Sequence, residues 1–115
     1  MSETIFEKII KKEIPANIVF ENESVLAFKD IQPQARHHIL FIHKKKSKDL
    51  NEMMEVSPDL IKELMLAIVE YTKKIGIDQS GYRLVTNIGV GGGQSVLYTH
   101  FHVLAGESFG HFGKV

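Results

Sequence analysis

The residues best equipped for chemistry lie in the run Val96-Leu97-Tyr98-Thr99-His100-Phe101-His102-Val103-Leu104. Side chains on an extended strand alternate between its faces. Tyr98, His100, His102 and Leu104 are therefore expected on one face, with Thr99, Phe101 and Val103 on the other, apolar one. Two imidazoles side by side offer nitrogens that act as donor, acceptor, nucleophile or metal ligand. A neutral imidazole nitrogen can attack phosphorus and form a covalent intermediate. The other ring nitrogen must then keep its proton and give it to a fixed acceptor, such as a backbone carbonyl. The neighbouring histidine is placed to hydrogen-bond phosphate oxygens. Zinc held by His100, His102 and His38 is a different use of similar residues, because imidazole binds zinc well. No carboxylate or cysteine accompanies them in the sequence, so no metal is expected.

The segment just before the histidines points the same way. Gly89-Val90-Gly91-Gly92-Gly93 is a glycine-rich loop in which backbone can approach a ligand closely. Gln94 and Ser95 follow where loop becomes strand, a usual place for binding side chains. The loop is not a P-loop, since no Gly-Lys-Ser/Thr follows it.

The elements that must position these groups are legible in outline. Ile5, Phe6, Ile9 and Ile10 recur at helical spacing, and Pro15 is expected to end that short helix. Ile18-Val19-Phe20 and Val25-Leu26-Ala27-Phe28 read as a hairpin. Asp30 to Pro33 reads as a turn, and His38 to Ile42 as a central strand followed by a loop. Ser57 suits a helix N-cap with Pro58 at the first position. Leu60, Ile61, Leu64, Met65, Ile68 and Ile75 form the stripe of one long helix, which Gly76 stops. Leu66, Val69 and Tyr71 lie off that stripe, and such an excess suits a second copy of the chain. Tyr82 to Ile88 and Val96 to Leu104 complete five strands. The expected fold is α+β: a five-stranded antiparallel sheet with one long and one short helix. His37 falls on the face opposite His38, and His43 and His111 are expected at the surface.

Bulk properties narrow the classes further. A chain of 115 residues suits one domain, spanning 1–115. Its 14 basic and 14 acidic residues balance, which argues against a nucleic-acid or anionic-membrane partner. The absence of cysteine excludes disulfide scaffolds and thiolate metal sites. Neither a secretory segment nor a membrane span is expected, so the setting is read as cytoplasmic.

Several short segments, taken in order, resemble the histidine triad family in its small nucleotide-binding, Hint-like branch. They are Ile5 to Ile10 with Glu13-Ile14-Pro15-Ala16; Leu26 to Ala35 with His38; Asn87; Gly92 to Val96; and His100 to Leu104. The likeness spans about residues 4–106 and leaves 107–115 as a tail. It implies a nucleotide hydrolase that acts on nucleoside phosphoramidates or related conjugates and releases the monophosphate. It implies His100 as nucleophile, His102 on the phosphate, Ser95 beside the leaving group and His38 as an upstream active-site histidine. Asp30 is implied to bind the ribose hydroxyls, and Asn87 and Gln94 to lie near the phosphate. Phe6, Ile9, Ile14, Phe28 and Ile31 are implied to clamp a purine base. No cofactor is implied, and the usual assembly is a homodimer. The first histidine of the family motif is replaced by Tyr98, which makes a nucleotide-binding module with negligible catalysis the alternative reading.

Overall fold

The computed structural model describes residues 3–111. The sequence-based span of 1–115, and the last residues of the 107–115 tail, reach beyond that range. Strands β1 (Ile18–Glu21), β2 (Val25–Lys29), β3 (His37–His43), β4 (Tyr82–Val85) and β5 (His100–Ala105) form one antiparallel sheet in the order β1-β2-β3-β5-β4. The expected α+β class and strand count match this sheet. β2 and β3 are buried almost end to end, which explains their dense apolar sequences.

Register sorts the side chains of β3. Ile39 and Phe41 join one buried cluster with Val25, Ala27, Phe101 and Val103; Leu40 and Ile42 join another with Leu26, Phe28 and Tyr98. Helix α3 (Pro58–Ile75) covers the first face. Its start is as expected, with Pro58 at the first position and the Ser57 hydroxyl accepting from the Asp59 N–H. It ends at Gly76, whose φ of 83° is one that glycine adopts without strain. Tyr71, expected off the buried stripe, instead packs edge-on against Phe41 with ring centroids 5.7 Å apart. Leu66 and Val69 are exposed, as read.

The second face is covered mainly by α1 (Ile5–Ile10), held at its start by a capping box between Thr4 and Glu7. This helix stops well before Pro15. Glu13 N–H bonds to the Lys8 carbonyl and Lys12 N–H to that of Ile9, with Lys12 at φ 62°. That is a Schellman stop, here with a lysine in the left-handed position.

Two further helices revise the expectation of one long and one short. α2 (Leu50–Val56) fills the stretch read as a loop, capped by Asp49, which accepts from Glu52 N–H at 2.9 Å. It buries Met53 alone among its residues and so leaves no stripe to detect. α4 (Ile77–Ser80) is a single turn after Gly76. Both final strands are shorter than read, because β4 ends at Val85 and β5 begins at His100. No described helix is long and apolar enough to cross a membrane.

Candidate active site

A six-residue helix cannot fill the face it covers. A cavity of about 310 Å³ remains between α1, the turn after β2 and the start of β5. Phe6, Ile9, Ile14, Phe28 and Ile31 all line it, as do Asp30, Ser95, His100 and His102. Leu40, Pro15, Ala16 and Val96 line it too and were not expected there. Leu40 follows His38 by two on β3, so strand alternation with the histidine face was the signal that could have found it.

His100 opens β5 and is 3% exposed. Its ring stands edge-on to Phe6, centroids 5.0 Å apart. Its Nδ1 lies 2.6 Å from the Tyr98 carbonyl oxygen, which can only accept. The Nδ1 therefore carries the proton and Nε2 keeps its lone pair. The Thr86 hydroxyl donates to the His100 carbonyl at 2.7 Å, a fixing contact absent from the sequence reading.

His102 and His38 form a second unit. Gln34 N–H donates to His38 Nδ1 at 3.0 Å, so the proton of the neutral His38 ring sits on Nε2. That Nε2–H donates to His102 Nδ1 at 2.9 Å, which leaves His102 Nε2 as the N–H donor. Two successive tautomers thus follow from one backbone amide. His38 does not line the cavity; it stands behind His102 and orients it. Asp30 is shared. One oxygen accepts from Gln32 N–H at 2.8 Å and forms the turn, while the other lies 3.5 Å from His38 Nε2.

Burial is the first cause that pushes His38, His100 and His102 below the usual histidine pKa. For His102 the neighbouring His100 and His38 add to it and bring the value to about 4. Asp30 opposes the shift at each ring without reversing it. These shifts favour the uncharged form of each ring at neutral pH, the form that keeps a lone pair.

Asp30, His38 and His102 also bring oxygen and nitrogen atoms within 4.8 Å of one another. This group contains a carboxylate the sequence reading did not foresee, and it omits His100. It fits hydrogen bonding better than a cation. A metal here would take the lone pair of His38 Nε2, and the Gln34 N–H already holds that ring in the tautomer with Nε2 protonated.

Other expected residues are placed differently. Asn87 and Gln94 do not line the cavity. Asn87 donates to the Gly92 carbonyl at 2.8 Å; Gln94 accepts from Gly89 N–H at 2.9 Å and donates to the Val96 carbonyl at 3.0 Å. Their amides brace the glycine loop that presents Ser95. Tyr98 keeps to the expected side of the sheet but is 1% exposed, and its hydroxyl donates to the His43 carbonyl rather than into the cavity. His43 is not a surface residue. It is buried, with Nδ1 accepting from Lys45 N–H and Nε2 donating to Glu63 at 2.8 Å. His111 is exposed, as expected.

The sequence matches the model of the HIT domain over residues 11–109. The chain belongs to the HIT family. It is 46% identical over 108 residues to the 14 kDa zinc-binding protein of Zea mays, covering 92% of this chain and 84% of that one. It superposes on a HIT family hydrolase from Clostridium thermocellum with a TM-score of 0.89 at 38% identity, over 96% of each chain. The histidine triad nucleotide-binding protein of Candida albicans gives a TM-score of 0.80 at 32% identity, over 88% of this chain and 73% of that one. The fold is therefore one used by HIT hydrolases and nucleotide-binding proteins.

Proposed function

We propose that this protein hydrolyses nucleoside phosphoramidates, or related conjugates of a purine nucleotide, through a nucleotidyl-His100 intermediate. The observation that carries the reading is His100 itself: its Nδ1–H is locked on a carbonyl and its Nε2 lone pair lies free beside an apolar cavity. The base enters between Phe6, Ile9, Ile14, Phe28 and Ile31. The ribose hydroxyls donate to the Asp30 carboxylate. His100 Nε2 attacks the α-phosphorus, and the phosphorus–nitrogen bond to the amine breaks. The amine departs with a proton passed to it by the Ser95 hydroxyl, and the water consumed in the second step restores that proton. His102 Nε2–H holds a phosphate oxygen, with His38 behind it, while Asn87 and Gln94 hold the loop in place. Water then attacks phosphorus, breaks the bond to His100 and releases the nucleoside monophosphate.

The test is release of adenosine monophosphate from adenosine 5′-phosphoramidate by the parent protein and by His100→Ala. Release by the parent that vanishes in His100→Ala, with monophosphate binding retained, is the expected result. One observation favours a second reading, a binding module: Tyr98 stands at the first motif position and turns its hydroxyl away from the cavity. Monophosphate binding without turnover in the parent would decide for it.

The same reading includes a homodimer. Leu66 is 60% exposed and Val69 42% exposed on α3, a face with no cover among the described residues. Sedimentation at the mass of one chain at micromolar concentration would reject the dimer.

A further inference from the structure

The chain just before β5 is held in an unusual way. The β3–β5 ladder begins at the pair Ile42↔His100, so Tyr98 and Thr99 lie outside it. Yet Tyr98 supplies the carbonyl on which the His100 ring depends. Something other than the sheet must fix that carbonyl.

Two braces do so, one on the main chain of the same peptide unit with a hydroxyl pair beside it, the other from the Tyr98 side chain. Thr99 N–H donates to the Ser47 carbonyl at 2.8 Å, and the two buried hydroxyls of Thr99 and Ser47 stand 2.6 Å apart. Tyr98 reaches further, with its hydroxyl donating to the main-chain carbonyl of His43, the last residue of β3. Its ring packs edge-on to Phe6, which also packs on His100. His43 is itself anchored through Glu63 to α3. Burial pushes the Tyr98 phenol well above its ordinary pKa, so it neither gains nor loses a proton near neutral pH.

We propose that Tyr98 is a positioning residue: its hydroxyl, braced on the His43 carbonyl, holds its own carbonyl where it fixes the His100 Nδ1–H. The inference rests on His100 being the nucleophile. Tyr98 then does not stand in for an imidazole at the phosphate. It sets the tautomer of the group that attacks, and a shorter histidine at this position loses the brace.

The test begins without substrate. With histidine labelled by ¹⁵N, ring shifts of His100 distinguish the two neutral tautomers. The parent is expected to show the Nδ1–H form alone, and Tyr98→Phe a mixture. In turnover of adenosine 5′-phosphoramidate, Tyr98→Phe and Tyr98→His are expected to lower kcat by about tenfold, with KM within about twofold, as for lost orientation rather than lost binding. Site-specific 3-fluorotyrosine at position 98 keeps the hydroxyl and should retain both tautomer and rate. A single Nδ1–H tautomer and unchanged kcat in Tyr98→Phe would overturn the proposal. If that variant does not fold, the parent decides: a Tyr98 hydroxyl proton exchanging freely with water overturns the brace, and a slowly exchanging one upholds it. A tautomer change in a parent without turnover would uphold the brace while ending the phosphoramidase reading.

Discussion

One sheet presents two unlike faces. On the α3 side, Ile39 and Phe41 meet Leu64, Ile68 and Tyr71 in a buried core. On the α1 side, Leu40, His100 and His102 border a cavity. The strands are the same, and neighbouring residues of β3 and β5 serve both faces. The difference lies in the cover. α3 runs over Pro58–Ile75 and fills its face, whereas α1 runs over Ile5–Ile10 and leaves room for a ligand. A site of this kind is made by shortening one layer of the fold, while the opposite layer keeps the strands rigid.

That contrast can be broken at chosen points. His100→Ala, on the open face, should lower turnover of adenosine 5′-phosphoramidate by about 10⁴-fold or more, as removal of a nucleophile does. Its urea midpoint should fall by less than that of a core truncation on the filled face. Phe41→Ala, on the filled face, should do the reverse. It is fully buried against Tyr71, and its loss should destabilise the fold by about 3–5 kcal/mol in denaturant titration. The fraction still folded should keep the parent kcat. A Phe41→Ala protein of parental stability would contradict the account of the α3 face.

Acid should act on the open face first. His38, His100 and His102 bind protons less readily when folded than when unfolded. In that window the unfolded chain binds more protons, so stability rises with pH. The contribution is complete above the ordinary histidine value near 6.5 and is lost as pH falls toward the about 4 of His102. Melting temperature measured from pH 7 down to 4 should therefore fall, and less steeply in His102→Leu than in the parent. A slope unchanged by that variant would assign acid sensitivity to other groups.

Smaller effects sharpen the picture. Ile14→Ala trims a half-buried wall of the cavity and should raise KM by about tenfold with little change in kcat. Equal losses in kcat and kcat/KM would argue against a base clamp. Glu63→Gln, on the α3 face, weakens a contact to His43 whose carboxylate is half exposed. It should lower stability only slightly and leave turnover alone, because Tyr98 uses the His43 carbonyl and not its ring. A large loss of rate in Glu63→Gln would place the His43 ring in the brace as well.

The α+β class, the number of strands, the long helix between Pro58 and Gly76, and the shared side of His100 and His102 were legible in the residue pattern alone. Those features come from local rules. Alternation of two, a stripe of 3.6, a proline at a helix start and a glycine at its end act within a few residues of one another. The rest depends on contacts between residues distant along the chain. Met53 alone among the α2 residues is buried, so no periodic stripe announced that helix. His43 looked like a surface histidine until α3 brought Glu63 to it. Asn87 and Gln94 read as polar groups near the phosphate, and the fold ties their amides to the main chain of Gly92, Gly89, Val96 and Lys48. Above all, the tautomers of His38, His100 and His102 were set by Gln34, Tyr98 and one another. A histidine's place in a sequence says which face it takes. Only its folded neighbours determine which of its nitrogens holds the proton, because that choice rests on donors and acceptors the fold alone brings within about 3 Å.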